Sequence, residues 1–232
     1  MISLPAFMGV GIPPHIALGT NKVSASFGAF SSFFKFYKAG KIEMDLMKKI
    51  FVFTIIGAII GVKSVLLLDS KYLYPMALAL IIILIGYTLY HKNMGNVNDF
   101  SGVTKDSLIK GSIMALVLGF YDGFFGPGTG SFLIFAFIKI FKFDFIHASG
   151  NAKALNFASN VVSVILFAYF GKVNYYYAIP MAGVMFLGAQ AGSHFAIKKG
   201  SKFIKPIFLI VSTAVAIRMT NQFIDLKGLL GL

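Results

Sequence analysis

The 232-residue chain is 57% hydrophobic and only 12% charged, with a mean hydropathy of +0.82 and a formal net charge of +13. A soluble domain carries about 25% charged residues, so this composition excludes a water-soluble globular protein. The positive charge then reads as lysines in cytoplasmic loops rather than a nucleic-acid surface. The chain has no cysteine, which excludes disulfides, a thiol nucleophile and thiolate metal sites.

Taken in chain order, the apolar pattern predicts a short piece near 1–12 and helices near 19–38, 47–68 and 72–91. A polar linker over 91–107 follows, then helices near 108–124, 131–145, 150–170, 174–198 and 203–220. The stretches Tyr74 to Tyr90, Ala154 to Gly171 and Val173 to Ile197 carry no Asp, Glu, Lys or Arg. A spanning helix needs roughly 20 mostly apolar residues, so the expected fold is all-α: a polytopic integral membrane protein of about nine helical segments. Met1 leads directly into an apolar segment containing Pro5, so a cleaved signal peptide is not expected. The segment 131–145 ends in Lys139, Lys142 and Asp144, too polar for an unaided span, and is expected to be tilted or shielded by protein.

One offset organises the whole chain. Gly19 and Gly150 are separated by 131 positions, and so are Lys22 and Lys153. The same shift relates Gly40-Lys41 to Gly171-Lys172, Gly57-Ala58 to Gly188-Ala189, Gly61 to Gly192, Ser70-Lys71 to Ser201-Lys202 and Pro75 to Pro206. The chain therefore reads as two homologous helical repeats, 1–90 and 108–232, joined by a cytoplasmic linker, 91–107. Residues 108–131 have no counterpart, since the shift places them before Met1. The first repeat is expected to be truncated at its N-terminus; an intrinsically asymmetric protein is the alternative.

Lysine placement bears on how the repeats are related. If 131–145 crosses the membrane, the second repeat is inverted, and 14 lysines (35, 38, 41, 48, 49, 92, 105, 110, 139, 142, 198, 199, 202 and 205) gather on one side. Five basic residues (Lys63, Lys71, Lys172, Arg218 and Lys227) lie opposite. If 131–145 is re-entrant, the repeats are parallel and the split is about 11 to 8. The positive-inside rule selects the inverted arrangement, in which sites lie near the midplane between repeats.

The candidate site residues fall in three clusters. Thr20, Asn21 and Lys22 follow Gly19, and Asn151 and Lys153 follow Gly150. Read as helix starts, both places offer free N–H groups beside an ammonium, suited to an anion. The alternative is a lysine that snorkels to the interface or pairs with Asp122. The third cluster is "GFYDGFFGPGTGSF" (119–132), with Asp122, Gly126, Gly128, Thr129 and Gly130. Its glycines let backbone approach a ligand and Pro127 stops a helix; a tight turn at the membrane surface is the alternative. Asn156, with Ser159 and Asn160, lies partly on the face of Asn151. His15 and His147 flank the lysine-bearing segments. Gly57/Gly61 and Gly188/Gly192 have the G-x-x-x-G spacing of helix packing. No P-loop, nucleophile–base pair or metal cluster is present in the sequence, so no cofactor is expected and an intramembrane enzyme is disfavoured.

"LPAFMGVGIPPHIALGTNK" (4–22), "GFYDGFFGPGTGSF" (119–132) and "NAKALNFASN" (151–160) together resemble the TauE/SafE family of membrane transporters, linked to export of sulfite and organosulfonates. The resemblance implies an all-helical carrier in the cytoplasmic membrane, and a first helix with an acidic glycine loop ahead of a segment like 1–12. The expected activity is secondary transport of a small anion, with a non-transporting membrane subunit or a truncated inactive homologue as the alternative. Expected partners are that anion and the lipid bilayer, not nucleic acid, and a homo-oligomer is compatible with this class.

Overall fold

The computed structural model describes residues 3–9, 11–69, 72, 73 and 97–199. Helices α1 (Ser3–Gly9), α2 (Pro14–Lys38), α3 (Met44–Leu67), α4 (Lys105–Phe124), α5 (Thr129–Phe141), α6 (Phe145–Tyr169) and α7 (Tyr175–Lys199) follow in chain order. The described residues contain no strand, so the fold is all-helical. The expected helices at 72–91 and 203–220 lie outside the described residues. Among the described residues, three helices, α3, α4 and α6, are long and apolar enough to cross a membrane by length and composition.

Helix starts differ from the sequence expectation for identifiable reasons. Helix α2 begins at Pro14 rather than near 19, because proline is pre-set for the first helical turn and has no N–H to leave unpaired. Helix α6 begins at Phe145 rather than near 150. There the Asp144 carboxylate accepts hydrogen bonds from the backbone N–H groups of Ile146 (2.8 Å) and His147 (2.7 Å). Helix α4 begins at Lys105, where Thr104 and Ser107 form a reciprocal capping box. Helix α5 stops at Phe141 because Lys142 turns left-handed, with φ of 61°.

The offset seen in the sequence reappears in space. Shifted by 131 positions, α2 falls on α6 end for end. Helix α2 meets the far end of α6: at Gly19 a side chain would strike the Lys172 carbonyl. At the equivalent Gly150 it would strike the Lys41 carbonyl, at the far end of α2. The hydrogen bonds repeat the relation. The Thr20 hydroxyl accepts from the Asn174 N–H at 2.9 Å, and the Asn151 side-chain oxygen accepts from the Glu43 N–H at 3.0 Å. One contact is thus made twice, and α2 and α6 run in opposite directions.

Helices α3 and α4 run side by side in the same direction, and their glycines bring them to backbone contact. A side chain at Gly57 or Gly61 would strike the α4 backbone at Leu116 or Phe120, and one at Gly119 or Gly123 would strike α3 at Thr54 or Ala58. Between helices in lipid, such contact is the main attraction available. An apolar cluster built on Leu46, Ile50, Phe137, Phe141 and Leu155 fills one end of the bundle. A second, built on Leu18, Val62, Val65, Phe125 and Phe167, fills the other.

The second glycine pair packs on no helix among the described residues. A methyl group added at Gly188 or Gly192 on α7 would meet no described atom within 4 Å, and both glycines line a cavity instead. Gly57→Ala should therefore lower the thermal stability of the detergent-purified protein, by roughly 1–3 kcal/mol as for other overpacked sites. Gly188→Ala should leave the melting temperature within about a degree of wild type, a tolerance typical of sites without close contacts.

Candidate functional site

Helix α4 stops at Phe124, and the chain turns through Phe125–Gly128 into α5. Gly126 and Gly128 have φ of 94° and 86°, values that side-chain-bearing residues rarely adopt. The turn is held by its neighbours: the Tyr121 hydroxyl donates to the Pro127 carbonyl at 2.6 Å, and the Thr129 hydroxyl donates to the Gly126 carbonyl at 2.7 Å. Thr54 lies level with Gly119 and Ala58 with Gly123. Helix α3 then continues from Gly61 to Leu67, about 9 Å further at 1.5 Å per residue. The glycine turn is thus inset from the end of the bundle rather than lying at its surface. Irregular backbone at that depth is tolerated where protein or a cavity surrounds it.

Lys22 reaches this break from α2. Its ammonium lies 3.1 Å from an Asp122 carboxylate oxygen and also donates to the Asp122 backbone carbonyl. The second carboxylate oxygen accepts from the Ser159 hydroxyl of α6. The two charged side chains are 2% and 3% exposed. Three helices thus meet on one buried carboxylate, with each carboxylate oxygen satisfied.

Beside this pair lies a cavity of about 650 Å³. It runs along α2 from Asn21 and Lys22 to Phe36, about 20 Å at the helical rise. Of the residues expected to bind substrate, Asn21, Lys22, Asp122, Gly126, Gly128, Gly130, Lys153 and Asn156 line it. Thr20, Thr129 and Asn151 do not. Their side chains are engaged by the Asn174 N–H, by the Gly126 carbonyl, and by the Glu43 N–H with the His147 carbonyl.

The two lysines, equivalent in sequence, are not equivalent in the site. Lys22 is paired with Asp122, whereas Lys153 lines the cavity within reach of the same carboxylate's charge but with no hydrogen bond or ion pair to a described residue. Both lie more than two turns inside their helices. The backbone N–H groups beside them are therefore spent within the helix, and the helix-start account of the site is overturned. Pro14 and the Asp144 cap set those starts further out. The flanking glycines serve close packing on Lys172 and Lys41.

Ser32, Ser149, Asn160 and Ser193 also line the cavity. The sequence suggests Asn160 by its place beside Asn156, whereas the serines give no signal, being common on apolar membrane helices. His15 and His147 hold structure. His15 Nε2 lies 2.9 Å from the Val65 carbonyl, and His147 Nδ1 lies 2.9 Å from Asp144 Oδ2.

A largely apolar cavity that carries a few buried polar and charged side chains, with a broken helix at its side, fits a membrane transporter. The chain belongs to the TauE/SafE family: the family model for the sulfite exporter TauE/SafE matches residues 1–219. A probable membrane transporter protein, ORF9, of Sinorhizobium sp is 36% identical over 219 residues, covering 94% of this chain and 83% of the relative. A probable membrane transporter protein of Haemophilus influenzae is 31% identical, covering 94% and 85%. YfcA of Escherichia coli strain K12, also a probable membrane transporter protein, is 32% identical, covering 94% and 81%. No solved structure matches the chain.

Lys22→Met would leave Asp122 as an unpaired buried charge and should destabilise the protein by roughly 3–5 kcal/mol. The double variant Lys22→Met/Asp122→Asn should recover most of that loss, as read from thermal melts of the detergent-purified proteins. Equal loss in the single and double variants would remove the ion pair from the account.

Proposed function

We propose that this chain is a secondary-type carrier of a small anion in the cytoplasmic membrane, with sulfite, an organosulfonate or a related sulfur compound as substrate. The observation that carries this reading is Lys153, an ammonium facing a membrane-depth cavity without an ion-pair partner among the described residues. A lysine in that setting favours an anionic occupant. Asn156 lies one turn from it on the same helix and supplies a side-chain amide donor, and the glycine turn supplies close backbone. The family's name, sulfite exporter, supports the choice of substrate. The lack of a P-loop motif in the sequence favours gradient-driven or passive movement over ATP.

The two halves form an inverted repeat in this reading. Opposed α2 and α6 support it. So does charge: Lys35, Lys38, Lys41, Lys48, Lys105, Lys142 and Lys198 gather at one end of the bundle, with Lys63 and Lys172 towards the other. The lysine-rich end is then cytoplasmic, and the cavity, which extends from the glycine turn towards that end, is the inward vestibule. Single cysteines at Gly40 and Lys198 should both be labelled from the cytoplasm only. Labelling of one from outside and the other from inside contradicts an inverted repeat.

A hydrogen bond to a charged group contributes about 1.5–3 kcal/mol. Lys153→Met should therefore weaken sulfite binding by roughly ten- to a hundred-fold and slow uptake of labelled sulfite into vesicles. Lys153→Arg should rescue only in part, because the wider guanidinium needs room. Unchanged affinity in a well-folded Lys153→Met protein would move the site to the backbone of 126–131.

A further inference from the structure

A second cavity, of about 450 Å³, lies between the C-terminal parts of α2 and α7, apart from the transport site. Lys35, Lys38, Lys198 and His194 line it, and no described acid does. Helices α2 and α7 run in the same direction here: the Ser24 hydroxyl donates to the Ala178 carbonyl, and Gly28 packs against Met185 further along. Both helices therefore bring their cationic ends to one level of the bundle. Cations at helix C-termini are favoured by the helix dipole alone, which accounts for their presence but not for a cavity between them. A separate observation concerns Gln190. Its side chain lines the same cavity, and its buried amide oxygen has no hydrogen-bond partner among the described residues. A buried amide end left unpaired is costly, so Gln190 has hydrogen-bonding capacity at the cavity wall that the described residues do not use.

The wall of this cavity continues as an apolar track. Phe34 lines it, with the Lys38 ammonium 4.4 Å from the ring centroid. One turn deeper, Phe30 stacks on Phe34 at 6.2 Å. Both rings are 44% exposed, and Phe30 also lies 5.4 Å from the Phe157 ring of α6. Cations above an aromatic track match an amphiphile with an anionic head and a hydrocarbon tail. A free inorganic anion would use only the upper part.

We propose that this groove binds one anionic phospholipid, its phosphoryl head among Lys35, Lys38, Lys198 and Gln190 and an acyl chain along Phe34 and Phe30. The site rests on none of the residues invoked for transport. Because α2 and α7 also wall the transport cavity, the lipid would bridge the two helices at that cavity's end.

The test uses the detergent-purified full chain and counts retained lipid by native mass spectrometry, with titrations of phosphatidylglycerol, phosphatidylcholine and inorganic phosphate. Phosphatidylglycerol should bind saturably at one site per chain, well ahead of phosphatidylcholine. Each basic residue near an anionic membrane surface is worth about fivefold in affinity. The variant Lys35→Gln/Lys38→Gln/Lys198→Gln should therefore weaken phosphatidylglycerol binding by about a hundredfold. The equally discharged control Lys48→Gln/Lys105→Gln/Lys110→Gln should lose less than about threefold. Phe34→Ala should weaken the lipid without altering any phosphate response. Equal retention of the two lipids, equal losses in the two triple variants, or phosphate competing as strongly as phosphatidylglycerol would each overturn the proposal.

Discussion

The buried ion pair between Lys22 and Asp122 is the constraint on which the site depends. Two ions removed from water lose several kcal/mol of hydration each, and only close partners offset that loss. Here the partners come from three helices: Lys22 from α2, Asp122 from α4 and the Ser159 hydroxyl from α6. The pair ties α2 to the last turn of α4, one turn ahead of the glycine break. The break itself adds only local bonds, from Tyr121 and Thr129. Without the cross-bundle tie, nothing charged among the described residues would fix the break against α2.

The same pair makes the two halves unequal. The contacts of Gly19 with Lys172 and Gly150 with Lys41 show one packing solution used twice. Symmetry stops at the lysines, because among the described residues Asp122 forms its ion pair with Lys22 and not with Lys153. Lys22 has a carboxylate at 3.1 Å, while Lys153 faces the cavity. One lysine is thereby a strut, and the other is the cation that a substrate anion meets in the proposed mechanism. A site of two equivalent lysines would need Asp122 to release Lys22 on every binding event.

Much of this is legible in the sequence, and the failures have physical causes. The 131-residue offset locates the repeats because a lysine is costly inside a lipid-embedded helix and stands out there, while glycines recur where helices pack closely. The glycine–proline run marks the break by the same reasoning. The apolar pattern puts helix starts about five residues late because it weakens over Pro13–Ile16 and Phe145–Ser149, where a proline pair and an aspartate cap begin the helices. That displacement puts Lys22 and Lys153 at helix ends and suggests backbone donors that are already bonded. The spacing of Gly188 and Gly192 matches that of Gly57 and Gly61, yet only the first-half pair meets another helix among the described residues. Spacing says that a close approach is permitted, and the neighbour decides if it is made.

The central claim is that the anion meets Lys153 while Lys22 stays bound to Asp122. Selenite is a heavier analogue of sulfite with an anomalous X-ray signal, so crystals of the protein soaked in it report the anion's position directly. The account predicts one strong peak inside the cavity, within hydrogen-bond reach of Lys153 Nζ, with the Lys22–Asp122 pair intact. A peak at Lys22 with Asp122 turned away, or a peak only outside the cavity, would contradict it.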